Sequence, residues 1–396
     1  MISHLSVKNY KSLQELDMEL GRVTVLIGAN GSGKSNILEA IALCSAAAGN
    51  KLDHEFLASR GIRVPDDPRF MRSAFEAQHT EEDIAIAVTG GYNESSFADS
   101  AVVEPKTFHC VLRNKDHTGY STWRDVAIEG ANHSEDTIKS LQERLQALNP
   151  SLNIKAVHEI VRKLEEISRN LSVPDNLQDF LIYSPENTSL RTFETEGQIQ
   201  PLGIKGEGLF KLLTVLSNQQ DKESITEIKK RLTLLDWFDN FEVAPGVSTG
   251  ERTLNIKDRY LDDSLSYFTQ KSANEGFLFL LFYFTLFISR ETPSFFAIDN
   301  IDASLNPKLC SQLLKELVDL AKTHDKQAIV TTHNPAVLDG LDLNDDEQRL
   351  YVVSRNKLGH TKVKRITKQA SLPDQKPIRL SEAFLRGYLG GLPGNF

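Results

Sequence analysis

Apolar and polar positions alternate from the first residues of the chain. Residues 2–7 read apolar and polar by turns, 9–12 form a polar turn, and 16–20 and 23–27 follow on either side of Gly21, a period that predicts short strands. Strands are expected again at 84–88, 108–112, 180–183, 295–298, 327–331 and 349–355. Residues 36–48 predict a helix, 209–216 an apolar one, 277–289 a buried one and 307–323 an amphipathic one. Between 134 and 179 the period lengthens: Ile138, Leu141, Leu145 and Leu148, then Val157, Ile160, Val161, Leu164 and Ile167, fall at steps of three and four, with Pro150 and Pro174 bracketing the second series. Too few heptads occur there for a coiled coil, so a helical insertion is expected. Residues 225–260 alternate once more and are expected to return the chain to the sheet. Strands interleaved with helices predict an α/β fold.

Composition narrows the class. The chain has 396 residues, 40% apolar and 25% charged, the balance of a globular protein with ample core. Its net charge of −9 argues against coating nucleic acid by bulk electrostatics. A local basic strip, Lys357, Lys362, Lys364, Arg365 and Lys368, is a candidate DNA-facing surface, and lysines on an edge strand serve equally to block edge pairing. Arg60, Arg63, Arg69 and Arg72, around Pro65 and Pro68, are expected to be solvated or ion-paired, with a face toward nucleic acid or a phosphate as the alternative. Cys44, Cys110 and Cys310 lack metal-ligand spacing, which fits a reduced, cytoplasmic setting. The N-terminus lacks signal-peptide character and the longest apolar run, 277–289, is too short for a bilayer, so no membrane anchor is expected. Cysteine–histidine metal sets, HExxH and Gly-X-Ser-X-Gly patterns are absent from the sequence.

The chemistry centres on Gly28-Ala29-Asn30-Gly31-Ser32-Gly33-Lys34-Ser35, glycine, four residues, then Gly-Lys-Ser. It lies between an apolar strand and a helix, an arrangement that aims backbone N–H groups and a helix dipole at a polyphosphate. Lys34 would reach the β- and γ-phosphates and Ser35 would ligate Mg²⁺; Asn30, Gly31, Gly33 and Asn36 complete the cradle. Residues 295–298 form an apolar strand ending in Asp299, an acid placed to hold Mg²⁺ at a sheet edge. Gly203, Gly206 and Gly208, lacking a following Lys-Ser, read as the start of a helix.

Residues 2–12 followed by Asn30–Asn36 resemble the start of ATPase heads of the SMC and RecF kind, and the whole chain resembles an OLD-type ABC ATPase head: α/β, a mixed sheet with flanking helices, carrying a helical insertion. The resemblance implies ATP and Mg²⁺ as ligands. It implies a first part of the head at 1–130, a mainly helical insertion and return segment at 131–220, a second part at 221–370 and a tail at 371–396. It assigns a Mg²⁺-watching glutamine, for which Gln78 is the candidate. It assigns a signature element to Asn274-Glu275-Gly276, with Asn where Ser is usual and Ser272 as an alternative; a simple helix cap is the competing reading. It makes Asp299 the Walker B acid, 303–307 a D-loop and His333 the switch histidine at the γ-phosphate. The usual Glu after the acid is Asn300, which orients water but accepts no proton, so hydrolysis is expected to be slow unless Asp302 substitutes.

Head-to-head homodimerisation through ATP is implied. About sixty residues follow His333, so a nuclease is expected on a separate effector polypeptide. Similarity to stand-alone bacterial anti-phage ATPases, such as the PtuA component of Septu, suggests a defence subunit. A RecF-type repair ATPase with DNA-stimulated hydrolysis is the alternative, and a transporter ATPase fits less well.

Overall fold

The computed structural model describes residues 1–76, 80–91, 105–114, 123–127, 159, 163, 171–193, 197–243, 253–262, 264–367 and 378–392. The expected helical series between 134 and 167 falls outside them, apart from isolated positions, and so do Gln78 and Lys368.

A six-stranded sheet divides the molecule into layers. Its order is β14 (Thr361–Ile366), β13 (Gln348–Arg355), β3 (Val23–Ile27), β12 (Gln327–Thr332), β11 (Phe295–Ile298) and β7 (Ile182–Tyr183). All neighbours are parallel except β14, which turns back along β13. Strands buried on both faces read as unbroken apolar runs, as Val23–Ile27 and Phe295–Ile298 do. Alternate residues feed two cores: Val23, Val25, Ile27, Phe296 and Ile298 face one side, Leu26, Phe295, Ala297 and Ile329 the other.

On the second side helix α1 (Lys34–Ala48) is sandwiched between this sheet and a five-stranded antiparallel one, ordered β2 (Leu13–Glu19), β1 (Ile2–Tyr10), β4 (Ile84–Gly90), β5 (Lys106–Arg113) and β6 (Arg124–Asp125). Thirteen of its fifteen residues are buried, which explains why it is alanine-rich and only weakly amphipathic. A short helix, α2 (His54–Ser59), follows. On the first side lie α3 (Leu209–Asn218), α4 (Glu223–Leu232), α5 (Glu275–Ile288) and α6 (Pro307–Thr323). Residues 277–288 of α5 are all buried, so its continuous apolar stretch is a core helix. Among the described residues no helix is long and apolar enough to cross a membrane.

The expected return of the chain to the main sheet is overturned. Residues 225–260 do not return to the main sheet: they complete α4 and then form β8 (Phe238–Val243) and β9 (Leu254–Asp258), which pair with β10 (Phe268–Thr269) in a separate three-stranded sheet. Ile225, Ile228 and Leu232 are the buried stripe of a helix; over so few residues a helical stripe and an alternating strand look alike. The glycine trio behaves as read, with Gly208 at positive φ capping α3.

Four basic residues near the prolines serve structure. Arg63 pairs with buried Glu39 and Arg69 with Asp67. Arg60 lies over the Phe56 ring. Arg72 departs from the expectation of a solvated or ion-paired arginine: it is 2% exposed, stacked over Trp123, and donates to the carbonyls of Glu82 and Asn114, which take the place of water or a carboxylate.

Candidate functional site

Three adjacent parallel strands, β3, β12 and β11, end at one edge of the sheet, the place where open α/β sheets bind ligands. In register, Ile27 lies beside Thr332 and Ile298 beside Val330. The topology therefore delivers the loop at 28–33, the Thr331-Thr332-His333 turn and Asp299 to one spot.

The loop needs its glycines. Gly31 and Gly33 sit at φ +73° and +106°, where a side chain is strained. A Cβ on Gly28 would strike the Val353 carbonyl, and one on Gly33 would strike the Thr361 hydroxyl. Lys34, only 5% exposed, folds back over the loop: Nζ donates to the carbonyls of Gly28 at 2.9 Å and Ala29 at 3.1 Å and lies 3.4 Å from His333 Nδ1. Burial lowers its pKa to about 8, against the pull of Asp299 and Asp302. Among the described residues it forms no ion pair. A buried ammonium held by two loop carbonyls and the His333 ring, inside a glycine cradle at a helix start, fits an anionic phosphate group.

Asp299 is held from both sides. Ser35 Oγ donates to its Oδ2 at 2.9 Å, and Thr331 Oγ1 donates to its Oδ1. One hydroxyl and one carboxylate suit Mg²⁺, which keeps water and phosphate oxygens as its other ligands. Asn300 sits at φ +57°, its N–H donating to Thr331 Oγ1 at 2.9 Å, with the residue exposed at the rim. Asp302 Oδ1 accepts from Thr332 Oγ1 at 2.6 Å and from the His333 N–H at 3.3 Å. His333 is pushed toward its neutral form by burial and then by Lys34. Lys34, Ser35, Asp299, Asn300, Asp302 and His333 thus form one cluster, with Asn30 and Gly31 exposed at its mouth.

Asn36 opens onto a cleft of about 290 Å³ lined also by Lys11, Arg63, Val64, Pro65 and Phe70. Arg63 Nη2 donates to Asn36 Oδ1 at 2.9 Å, and Glu39, 2% exposed at its side chain, pairs with both Lys11 and Arg63. Phe70 is 62% exposed there.

The signature candidates are not brought to this cluster. Asn274 caps α5, its Oδ1 accepting from the Phe277 N–H at 2.8 Å, so the helix-cap reading holds within the protomer. Ser272 takes no part in that cap; its N–H donates to Thr269 O at 2.9 Å. Gly276 has no internal need to be glycine, since a Cβ would meet only ordinary contacts at 3.6–3.7 Å. Glu275 ties this helix start to Asn187 at 2.6 Å and to Ser304 at 2.8 Å. Gln78 lies outside the described residues.

Sequence reasoning passed over the roles of Ser12, Thr331, Thr332 and Thr361. Ser12 stands in the polar turn at 9–12, and Thr331 and Thr332 stand between the apolar strand and His333, yet a hydroxyl that orients a neighbour leaves no spacing pattern; Thr361 bonds a loop 329 residues away.

This sheet, loop and acid define a P-loop ATPase head of the ABC type. Residues 23–339 match the family model described as "AAA domain, putative AbiEii toxin, Type IV TA system", and the chain belongs to that family. It is 25% identical over 240 residues to an OLD nuclease of Thermus scotoductus (strain ATCC 700910 / SA-01), covering 54% of this chain and 41% of that protein. It is 38% identical over 52 residues to the DNA replication and repair protein RecF of Paenarthrobacter aurescens (strain TC1), 13% of each chain. The chain therefore spans less than half the length of the curated relatives it matches. In fold it is similar to an SMC head solved bound to the C-winged helix domain of ScpA, with a TM-score of 0.51 at 17% identity over 92% of this chain and 98% of that one. It is an SMC/RecF/OLD-like ABC ATPase head.

Proposed function

We propose that this protein binds ATP with Mg²⁺, dimerises head to head around it, and gates a separate effector, a nuclease by preference, in bacterial anti-phage defence. The observation that carries the reading is the joint placement of Lys34, Ser35, Asp299 and His333 with an amide, Asn300, beside the acid. Lys34 and the loop N–H groups would hold the phosphates, Ser35 and Asp299 the Mg²⁺, and the cleft beside Asn36 the nucleoside, with Phe70 as an apolar wall. Mg²⁺ supplies charge neutralisation at the phosphates. Gly276 and Asn274 would face the partner's nucleotide, a role that fits a glycine unused inside its own protomer.

Asn300 orients water and accepts no proton, so the general-base contribution, ~10²–10⁴-fold, is missing. ATP then acts as a clamp more than as fuel, and its binding shifts the population toward the closed dimer by its extra affinity for that state. The resemblance to PtuA supports the defence role by family analogy only.

The test is ATP binding, turnover and mass in solution, with Lys34→Ala as control. Slow turnover with an ATP-dependent gain in mass is expected. Many turnovers per second, abolished by Lys34→Ala, would overturn the clamp and make Asp302 the proton acceptor. The RecF match favours a second reading, a repair ATPase; its mark would be hydrolysis stimulated by DNA.

A further inference from the structure

A hydrogen-bond relay runs behind the phosphate loop, and its direction is fixed by donor and acceptor chemistry. The Ser32 carbonyl only accepts, so Thr361 Oγ1 donates to it, at 2.9 Å. That hydroxyl has a single proton, so at its 2.6 Å contact with Ser12 Oγ the serine is the donor. Ser12 Oγ accepts in turn from Asn36 Nδ2 at 2.7 Å, and Asn36 Oδ1 accepts from Arg63 at the cleft. The backbone doubles the link, with the Thr361 N–H donating to Ser12 O at 2.7 Å. Ser12 and Thr361 are 2% and 1% exposed, so water does not replace a lost partner, and each orphaned group carries a desolvation cost.

The geometry points to a function for this relay: we propose that Thr361 is a positioning residue for nucleotide binding. In a trans peptide the C=O and the next N–H point in opposite directions. Holding Ser32 C=O outward against Thr361 therefore turns the Gly33 N–H toward the concave side of the loop, where a phosphate is read to sit. Gly33, at φ +106°, leaves no room for a Cβ between loop and threonine, so the loop rests directly on β14. Ser12 lies in the β1–β2 turn and Thr361 opens β14 beyond the β13–β14 turn, so the relay also staples two hairpins from different sheets to one loop. Thr361 touches no nucleotide; it acts through the Ser32–Gly33 peptide.

The role rests on the ATP reading above. The experiment measures the ATP dissociation constant and the melting temperature of wild type, Thr361→Val, Thr361→Ser and Ser12→Ala. Thr361→Val keeps the shape and loses the hydroxyl; its dissociation constant is expected to rise about tenfold or more, and Thr361→Ser to restore binding to near wild type. Ser12→Ala, which removes the middle link, is expected to weaken binding less, and it keeps the test open if the valine variant does not fold. Folded Thr361→Val or Ser12→Ala proteins that melt earlier yet bind ATP as wild type does would make the relay purely structural and overturn the proposal. Wild type that binds no ATP would overturn the ATP reading and this role with it.

Discussion

At the residue scale the site turns on one atom type. On the proposed function Asn300 places an amide where a carboxylate would take a proton; its backbone N–H is fixed by Thr331 Oγ1. Asn300→Glu is therefore expected to raise ATP turnover by ~10²-fold or more, measured as phosphate release, whereas Asn300→Ala, which loses the water-orienting amide, lowers it; equal rates in all three would remove Asn300 from the hydrolysis step. A second residue, Lys326, gives a pH signature of folding. It is 3% exposed, its Nζ donating to Thr292 O and Oγ1 and to Pro293 O, and burial lowers its pKa from 10.5 to about 8. Between pH 8 and 10.5 the unfolded chain holds this proton and the folded one has released it, so stability rises with pH across that window and the gain is absent below it. In Lys326→Met the rise disappears. The stability difference between wild type and variant is expected to move by about 2 kcal/mol in favour of wild type from pH 8 to pH 10, read by denaturant unfolding.

At the element scale, α5 and α1 are two ways of burying a helix. Helix α1 threads small residues between two sheets; α5 fills a thick layer with phenylalanines. Phe282 is fully buried, its ring 5.7 Å from both Tyr183 and Tyr283 in edge-on packing. Phe282→Ala is expected to cost about 3–5 kcal/mol, seen as a lowered unfolding midpoint; a loss under 1 kcal/mol would mean that the layer repacks. Burial of that element is what holds its exposed first turn, Asn274–Gly276, in fixed orientation, with Glu275 tied to Asn187 and Ser304. Lys362, Lys364 and Arg365 of the basic segment lie on the edge strand β14, and Arg365 is paired with Glu19. That leaves less free positive charge for nucleic acid than the sequence count implies.

At the scale of the whole molecule, the proposed function places Lys34 and Gly276 in two halves of a nucleotide site that lie apart in one chain and that a second copy would join. Gly276→Asp tests this cleanly. The added Cβ meets only ordinary contacts at 3.6–3.7 Å, and an acid in a first helical turn is favourable, so melting temperature and single-chain ATP binding are expected to hold. Repulsion of a partner's phosphate would abolish the ATP-dependent gain in mass, measured by light scattering. An unchanged gain would place the dimer contact elsewhere.

Much of this was legible along the chain. A phosphate loop is contiguous, so Gly28–Ser35 announced itself, and β11 with Asp299 and β12 with His333 carried the apolar run and terminal polar residue that parallel strands require. The strand reading of 225–260 failed because short amphipathic segments carry one stripe under either period, and only the packing of Ile225, Ile228 and Leu232 into the core selects the helix. By itself the sequence determined the loop, the order of the elements and the chemical identity of each cluster residue, because these depend on covalent neighbours and local periodicity. The tertiary structure alone decided which hydroxyl orients which acid, that Lys34 turns its ammonium onto the carbonyls of its own loop, and that Thr361 closes over a loop 329 residues earlier. Hydrogen bonds reach only about 3 Å and follow direction rather than spacing, so such partnerships exist only once the strands have been laid side by side.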